Sequence, residues 1–233
     1  MIGIIGAMEV EVKKLREAMQ IEKTENVAGM VFYSGRINGT EVVLVRSGVG
    51  KVNAAICTQI LCDLFPVSCI LNSGIAGSLN ADINIGDIVI SDDALQHDMD
   101  ARYFGYDPGV IPQQEVSVFR ADKELADLAE KVCKEVNPDI AVFRGRILSG
   151  DQFIADKEKK EWLAVTFAGL CTEMEGAAIA HAAYKNGVPF LIVRAISDKA
   201  DDSATEDYTT FEAKAIEHMV RLTLGLIEQY KEN

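Results

Sequence analysis

Ile2-Gly3-Ile4-Ile5-Gly6-Ala7-Met8-Glu9-Val10-Glu11 decides the fold class of this chain. Residues 2–6 form a short apolar run ending at Gly6, the pattern of a buried first strand. A helical pattern follows from about Glu9 to Met19, with Val10, Leu15 and Met19 among its apolar positions. Strand followed at once by helix is the unit of an α/β fold. Working outward, the strand-like runs Met30–Ile37 and Glu41–Val45 are separated by Asn38-Gly39. That dipeptide predicts a hairpin, so the sheet is not purely parallel.

The alternation continues along the chain. Ser47-Gly48-Val49-Gly50-Lys51 reads as a glycine turn leading into a helix over Val52–Leu64, which Pro66 ends. Cys69–Leu71 reads as a strand running into a second small-residue turn over Asn72–Ser78. Strands are expected at Asp87–Ser91, Arg146–Ser149 and Pro189–Ile196. Helices are expected at Ala121–Glu135, at Gly176–Lys185 and from the loop Asp198–Asp207 to about Tyr230. Thr172-x-x-Glu175 and Ser203-x-x-Glu206 have capping-box spacing. Residues 95–118 read as loop. The expectation is an α/β chain, a single domain over residues 1–233, with a mixed central β-sheet flanked by helices on both faces. Ligand sites in such folds lie at strand ends.

Composition narrows the function. The 233 residues are 48% hydrophobic and 25% charged, with a net charge of −13. No basic stripe is present, which argues against nucleic acid and anionic membrane as partners. No window reaches the ~18 consecutive apolar residues of a membrane span. The N-terminus has no basic leader, so a cytoplasmic location is expected. The five cysteines form no C-x-x-C pair, and His97, His181 and His218 fit no ligand spacing, so no metal site or cofactor is expected. His97-Asp98-Met99-Asp100 reads as a solvated loop.

Four segments could carry chemistry. Glu9 and Glu11 sit where a helix dipole favours carboxylates, or one of them polarises a water in a cleft. The turns Ser47–Lys51 and Gly74–Ser78 could cradle a ligand with backbone N–H groups, yet neither matches a phosphate loop. Glu173, Met174 and Glu175 precede Gly176-Ala177-Ala178. They suit ribose hydroxyls, or Glu175 merely caps its helix. Arg194-Ala195-Ile196-Ser197-Asp198 places charge at the mouth of an apolar strand, where Asp198 either acts chemically or pairs with Arg194.

Taken together, G-I-I-G-A-M-E-V-E (3–11), S-G-V-G-K-V (47–52), G-D-I-V-I-S-D (86–92), F-G-Y (104–106), S-G-D-Q-F-I (149–154), E-M-E-G-A-A-I-A-H (173–181) and R-A-I-S-D (194–198) resemble the 5'-methylthioadenosine/S-adenosylhomocysteine nucleosidases. The resemblance implies a nucleoside phosphorylase-like fold and hydrolysis of the N-glycosidic bond of these two nucleosides, in methionine and S-adenosylmethionine salvage. It implies a homodimer acting on small 5'-thioadenosine nucleosides. Asp198, beside Ser197, matches the acid that protonates adenine. A carboxyl of reference pKa ~3.9 needs its pKa raised for that task. Glu11 matches the water-activating base. Glu173, Met174 and Glu175 match the ribose site, and Arg194 a residue near the water. Phe153 matches the aromatic wall against the purine, and the Ile154 backbone the reader of its edge. Met8, Val49, Tyr208 and Phe211 match or adjoin the apolar 5'-thio pocket. Phe104 and Pro112 match positions contributed by the partner subunit.

Two departures stand out. The family commonly has G-S-A-G-G where this chain has Gly74-Ile75-Ala76-Gly77-Ser78, so Ile75 replaces a serine near the water. Ser73 and Ser78 are the candidates to compensate. Tyr208 introduces a hydroxyl that needs a partner. The rival readings are a phosphate-dependent nucleoside phosphorylase of the same fold and a non-catalytic adenosine-binding protein. Glu9 and Glu11 oppose the first by repelling phosphate. A related hydrolase acting on a menaquinone precursor shares all these residues.

Overall fold

A computed structural model describes residues 1–201 and 203–230; Asp202 and residues 231–233 of the expected domain lie outside the described residues. The strands are β1 (Ile2–Gly6), β2 (Gln20–Val27), β3 (Met30–Ile37), β4 (Thr40–Arg46), β5 (Cys69–Ser78), β6 (Ile88–Gln96), β7 (Val118–Arg120), β8 (Val142–Ser149), β9 (Gly169–Glu173) and β10 (Phe190–Asp198). The helices are α1 (Glu9–Glu17), α2 (Lys51–Leu64), α3 (Lys123–Val136), α4 (Lys157–Phe167), α5 (Gly176–Asn186) and α6 (Ala204–Gln229).

All the strands join one mixed sheet. β5, β10, β6, β8 and β9 pair in a closed circuit, and β1, β4, β3 and β2 extend from β5 as a curved wing. β1–β4, β1–β5 and β5–β10 are parallel, while β3–β4 and β6–β10 are antiparallel. The hairpin at Asn38-Gly39 forms as expected, with both residues left-handed at φ 47° and 84°.

Strand alternation sends each buried face to a different helical layer. Ile4, Val42, Leu44, Leu191 and Val193 pack toward α1, α3 and α6. Ile5, Val43, Val45, Phe190 and Ile192 pack toward α2 and α5. The expected two-faced α/β architecture is therefore present.

The expected turn over Asn72–Ser78 is instead the second half of β5, buried along its whole length. The small residues are there for close approach. β5 lies between β1 and β10, and its glycines leave room for carboxylates arriving from both sides. β2, α4 and β9 were not anticipated. β2 is largely exposed and carries charges, so no apolar periodicity marks it. Neither capping box forms. Thr172 lies in β9 with its hydroxyl unpaired, and the Ser203 hydroxyl donates to Asp201 and Asp207 instead. Glu173 ends β9 and caps α5, accepting from the N–H groups of Glu175 (3.1 Å) and Gly176 (2.8 Å).

Candidate active site

The C-terminal ends of β1, β5, β9 and β10 converge on a cavity of about 300 Å3. Its walls include Met8, Glu11, Val49, Ile75, Gly77, Phe153, Thr172, Glu173, Met174, Glu175, Ser197 and Tyr208. Most of the residues singled out in the sequence are thus brought together from segments up to 200 positions apart.

Glu11 is 3% exposed. Its Oε2 accepts from the N–H groups of Ala7 (2.7 Å) and Met8 (2.9 Å), and its Oε1 from that of Ile75 (3.1 Å). The carboxylate that closes the first turn of α1 also faces the cavity, so the helix-start position of this residue and a place in the cleft coincide. Glu9 turns away and pairs with Arg16 at 2.6 Å. Burial raises the Glu11 pKa, opposed by Arg194 and by the three backbone donors. Gly74 permits this geometry, since a methyl group there would stand 2.5 Å from Glu11 Oε1.

Asp198 is 2% exposed and follows an irregularity in β10 that sets it opposite Gly77. Its Oδ2 accepts from the Ser197 hydroxyl (2.8 Å) and its Oδ1 from the Ala200 N–H (2.8 Å). Ser197 and Gly77 line the cavity while Asp198 sits just behind them. A methyl group on Gly77 would stand 2.6 Å from Asp198 Oδ1, which puts the carboxyl at that edge of the cavity. Burial raises its pKa, the direction a proton donor needs.

Arg194 does not pair with Asp198. The fully buried guanidinium bonds Glu173 and Asn72 and the carbonyl of Val193 at 3.0 Å. Glu173 is consumed by Arg194, by the Ser149 hydroxyl and by the Gly176 N–H. It therefore does not offer a free carboxylate to a sugar. Glu175 is the available one, with Oε1 accepting from the Gly50 N–H (2.8 Å). Burial and the Glu173 charge raise its pKa. Removing Arg194 alone would leave Glu173 buried and unpaired, a loss on the order of 3–5 kcal/mol.

The phosphorylase superfamily model matches residues 1–228. A 5'-methylthioadenosine/S-adenosylhomocysteine nucleosidase of Tolumonas auensis is 43% identical over 212 residues, 91% of this chain and 90% of its own. The crystal structure of such a nucleosidase from Neisseria meningitidis, in complex with methylthio-immucillin-A, superposes with a TM-score of 0.93. It is 34% identical, covering 98% of this chain and 99% of that one. Futalosine hydrolase of Helicobacter pylori superposes at 0.92 and is 33% identical, covering 98% and 97%. The chain belongs to the 5'-methylthioadenosine/S-adenosylhomocysteine nucleosidase family.

In this nucleosidase, Ile75 lines the cavity but holds Glu11 through its backbone N–H, a contact that any residue except proline supplies. Neither neighbouring serine compensates for the side chain. Ser73 is hydrogen-bonded to Met219 and Thr223, and Ser78 donates to the Asn80 carbonyl. The Tyr208 hydroxyl finds Glu212 at 2.8 Å, and its ring meets Phe153 edge-on at 6.1 Å. Ile154 is buried against Leu79, Leu148 and Ala200, and neither it nor Phe211 lines the cavity. Phe104 is 85% exposed on a short 3-10 turn, and neither it nor Pro112 lines the cavity of this chain.

Sequence reasoning missed Asn72 and Ser149 as site-builders, and read Gly74 and Gly77 as a ligand cradle rather than as room for the two carboxylates. The glycines were visible, but their role depends on which carboxylate lies opposite. The solvated-loop reading of His97–Asp100 also fails at its start. His97 is 2% exposed with both ring nitrogens unpaired, and Asp98 is ion-paired with Lys51 at 2.7 Å.

Proposed function

We propose that the chain hydrolyses the N-glycosidic bond of 5'-methylthioadenosine and S-adenosylhomocysteine, releasing adenine and the 5'-thioribose product. The charge pattern of the cavity carries this reading. Its ionisable lining consists of Glu11, Glu173 and Glu175 beside the Tyr208 phenol, and no lysine or arginine is among the described lining residues. Arg194 stands behind the wall and is already paired. A phosphate nucleophile needs donors and positive charge, whereas a water needs an acceptor.

Cleavage passes through a cation-like state at the anomeric carbon. Glu11, whose ionised form the three N–H donors and the Arg194 charge favour against the burial that raises its pKa, takes the water proton and stabilises the developing positive charge. Asp198, whose pKa burial raises, donates to the purine so that adenine leaves neutral. Glu175 accepts from the ribose hydroxyls, with Met174 packed on the sugar and Phe153 on the base. Met8, Val49 and Tyr208 offer the 5'-thio group an apolar, polarisable lining. The Ile154 backbone and Phe211 complete the purine and 5' ends. The whole chain acts as one cytoplasmic nucleosidase domain, paired as a homodimer in which Phe104 and Pro112 of each subunit close the other's site.

The test is adenine release from 5'-methylthioadenosine in phosphate-free buffer. Turnover without phosphate is expected, and strict dependence on added phosphate would overturn the hydrolase reading. Futalosine is the second substrate to assay, because the similarity to a futalosine hydrolase is of the same order.

A further inference from the structure

The family resemblance leaves Lys51 and Asp98 without a role. Lys51 opens α2, where a cation opposes the helix dipole, so its placement needs another reason. Its ammonium reaches across to Asp98 Oδ1 (2.7 Å) and Gln96 Oε1 (3.1 Å) at the end of β6. Asp98 in turn accepts from the Asp151 N–H through Oδ2 (2.9 Å). Asp151 closes the loop by accepting the Lys51 N–H through Oδ1 (2.8 Å). The Lys51 and Asp98 side chains are only 17% and 18% exposed, so the pair is shielded from solvent and salt.

This ring of contacts ties together three strand-end segments, two of which carry residues of the cavity wall. Residues 47–51 carry Val49 and the Gly50 N–H that holds Glu175, with Gly50 left-handed at φ 97°. Residues 150–154 carry Phe153, two positions after Asp151. The third segment, from Gln96, supplies the acceptors. A methyl group on Gly50 would approach Asp151 Oδ1 to 3.2 Å, so the two loops are already in contact. No member of the ring touches Glu11 or Asp198.

We infer that Lys51 is a positioning residue, whose charge clasps Asp98 and thereby sets Val49, Glu175 and Phe153 against the nucleoside. It acts on substrate binding and not on the chemical step. The inference rests on the cavity being the adenine-nucleoside site. Steady-state kinetics on the full chain with 5'-methylthioadenosine test it. Lys51→Met and Asp98→Asn should each raise KM about tenfold while kcat stays within about threefold. The double variant should resemble either single one, because the two changes remove the same contact. Lys51→Arg should restore KM to within about threefold of the parent.

Unchanged KM with a lower thermal midpoint in both single variants would make the pair a brace for the fold and overturn the inference. A fall in kcat at constant KM would overturn it too. Should Lys51→Met fail to fold, Asp98→Asn carries the same comparison. Adenine affinity measured by calorimetry separates this inference from the substrate reading. A parent protein that binds adenine but leaves the nucleoside intact would refute the substrate reading alone. The expected tenfold weakening of adenine binding in Asp98→Asn would then still decide the role of Lys51.

Discussion

Glu11 and Asp198 are both buried carboxylates beside glycines of β5, yet they are held in opposite ways. Glu11 is enclosed by three backbone N–H donors, with the Arg194 charge behind it. Asp198 is buried with one N–H and one hydroxyl, and the charges that act on it, Asp207 and Asp201, are acidic. Donors and positive charge favour the ionised form, while burial among like charges favours the neutral one. Burial raises both carboxyls, but the one with more donors and a cation beside it suits the proposed base and the other the proposed acid. Gly74 faces Glu11 and Gly77 faces Asp198, three residues and about 10 Å apart along β5.

The comparison is broken most severely by removing either function. Asp198→Asn should lower kcat by a factor on the order of 10²–10⁴, because adenine leaves poorly without a proton. Glu11→Gln should lower it at least ~100-fold. Substrate binding, measured by calorimetry, should survive in both. Full turnover by Asp198→Asn would remove it as the acid.

Adding one methyl group at each end sharpens the contrast. Gly74→Ala pushes on Glu11 Oε1 and Gly77→Ala on Asp198 Oδ1, at 2.5 and 2.6 Å. Each should lower kcat about 10- to 100-fold through misplacement. The parent pH profile of kcat/KM should be bell-shaped. Its acid limb lies above the usual carboxylate range, because Glu11 gains its proton early as pH falls. Its alkaline limb marks loss of the Asp198 proton. Gly74→Ala should move the acid limb and Gly77→Ala the alkaline one; a shift of both limbs in either variant would argue against separate roles.

Glu175 is an intermediate case, with one N–H donor and a charged neighbour. Its raised pKa means that the folded state holds a proton that the unfolded state releases first. Its contribution to stability is therefore fully present below 4.5 and is lost as pH rises through the folded-state value. Glu175→Gln should raise the thermal midpoint relative to the parent at pH 8, with little difference at pH 4, while weakening nucleoside binding. The smallest effect belongs to Tyr208→Phe. The lost hydroxyl bonds Glu212, near the helix surface, so kcat/KM should change less than about threefold.

Much of this protein was determined by local sequence. β1, the Asn38-Gly39 hairpin and the alternating helices follow from short-range periodicity and turn chemistry, which need no distant partner. The residues proposed as the catalytic pair and the ribose carboxylate stand in short motifs whose ordered resemblance points to them. Tertiary structure alone decided which partner each carboxylate meets. Glu173 and Glu175 look equivalent in sequence, but only Glu173 bonds Arg194, across a fold that sets β9 and β10 against the same strand, β5. The segment Asn72–Ser78 reads as a turn because its residues are small. It is a strand because two neighbouring strands and two carboxylates crowd against it. Lys51 and Asp98, 47 positions apart, carry no local sign of their pairing. Charges and close approaches act through space, and the chain order records them only where a helix or turn makes near neighbours of near residues.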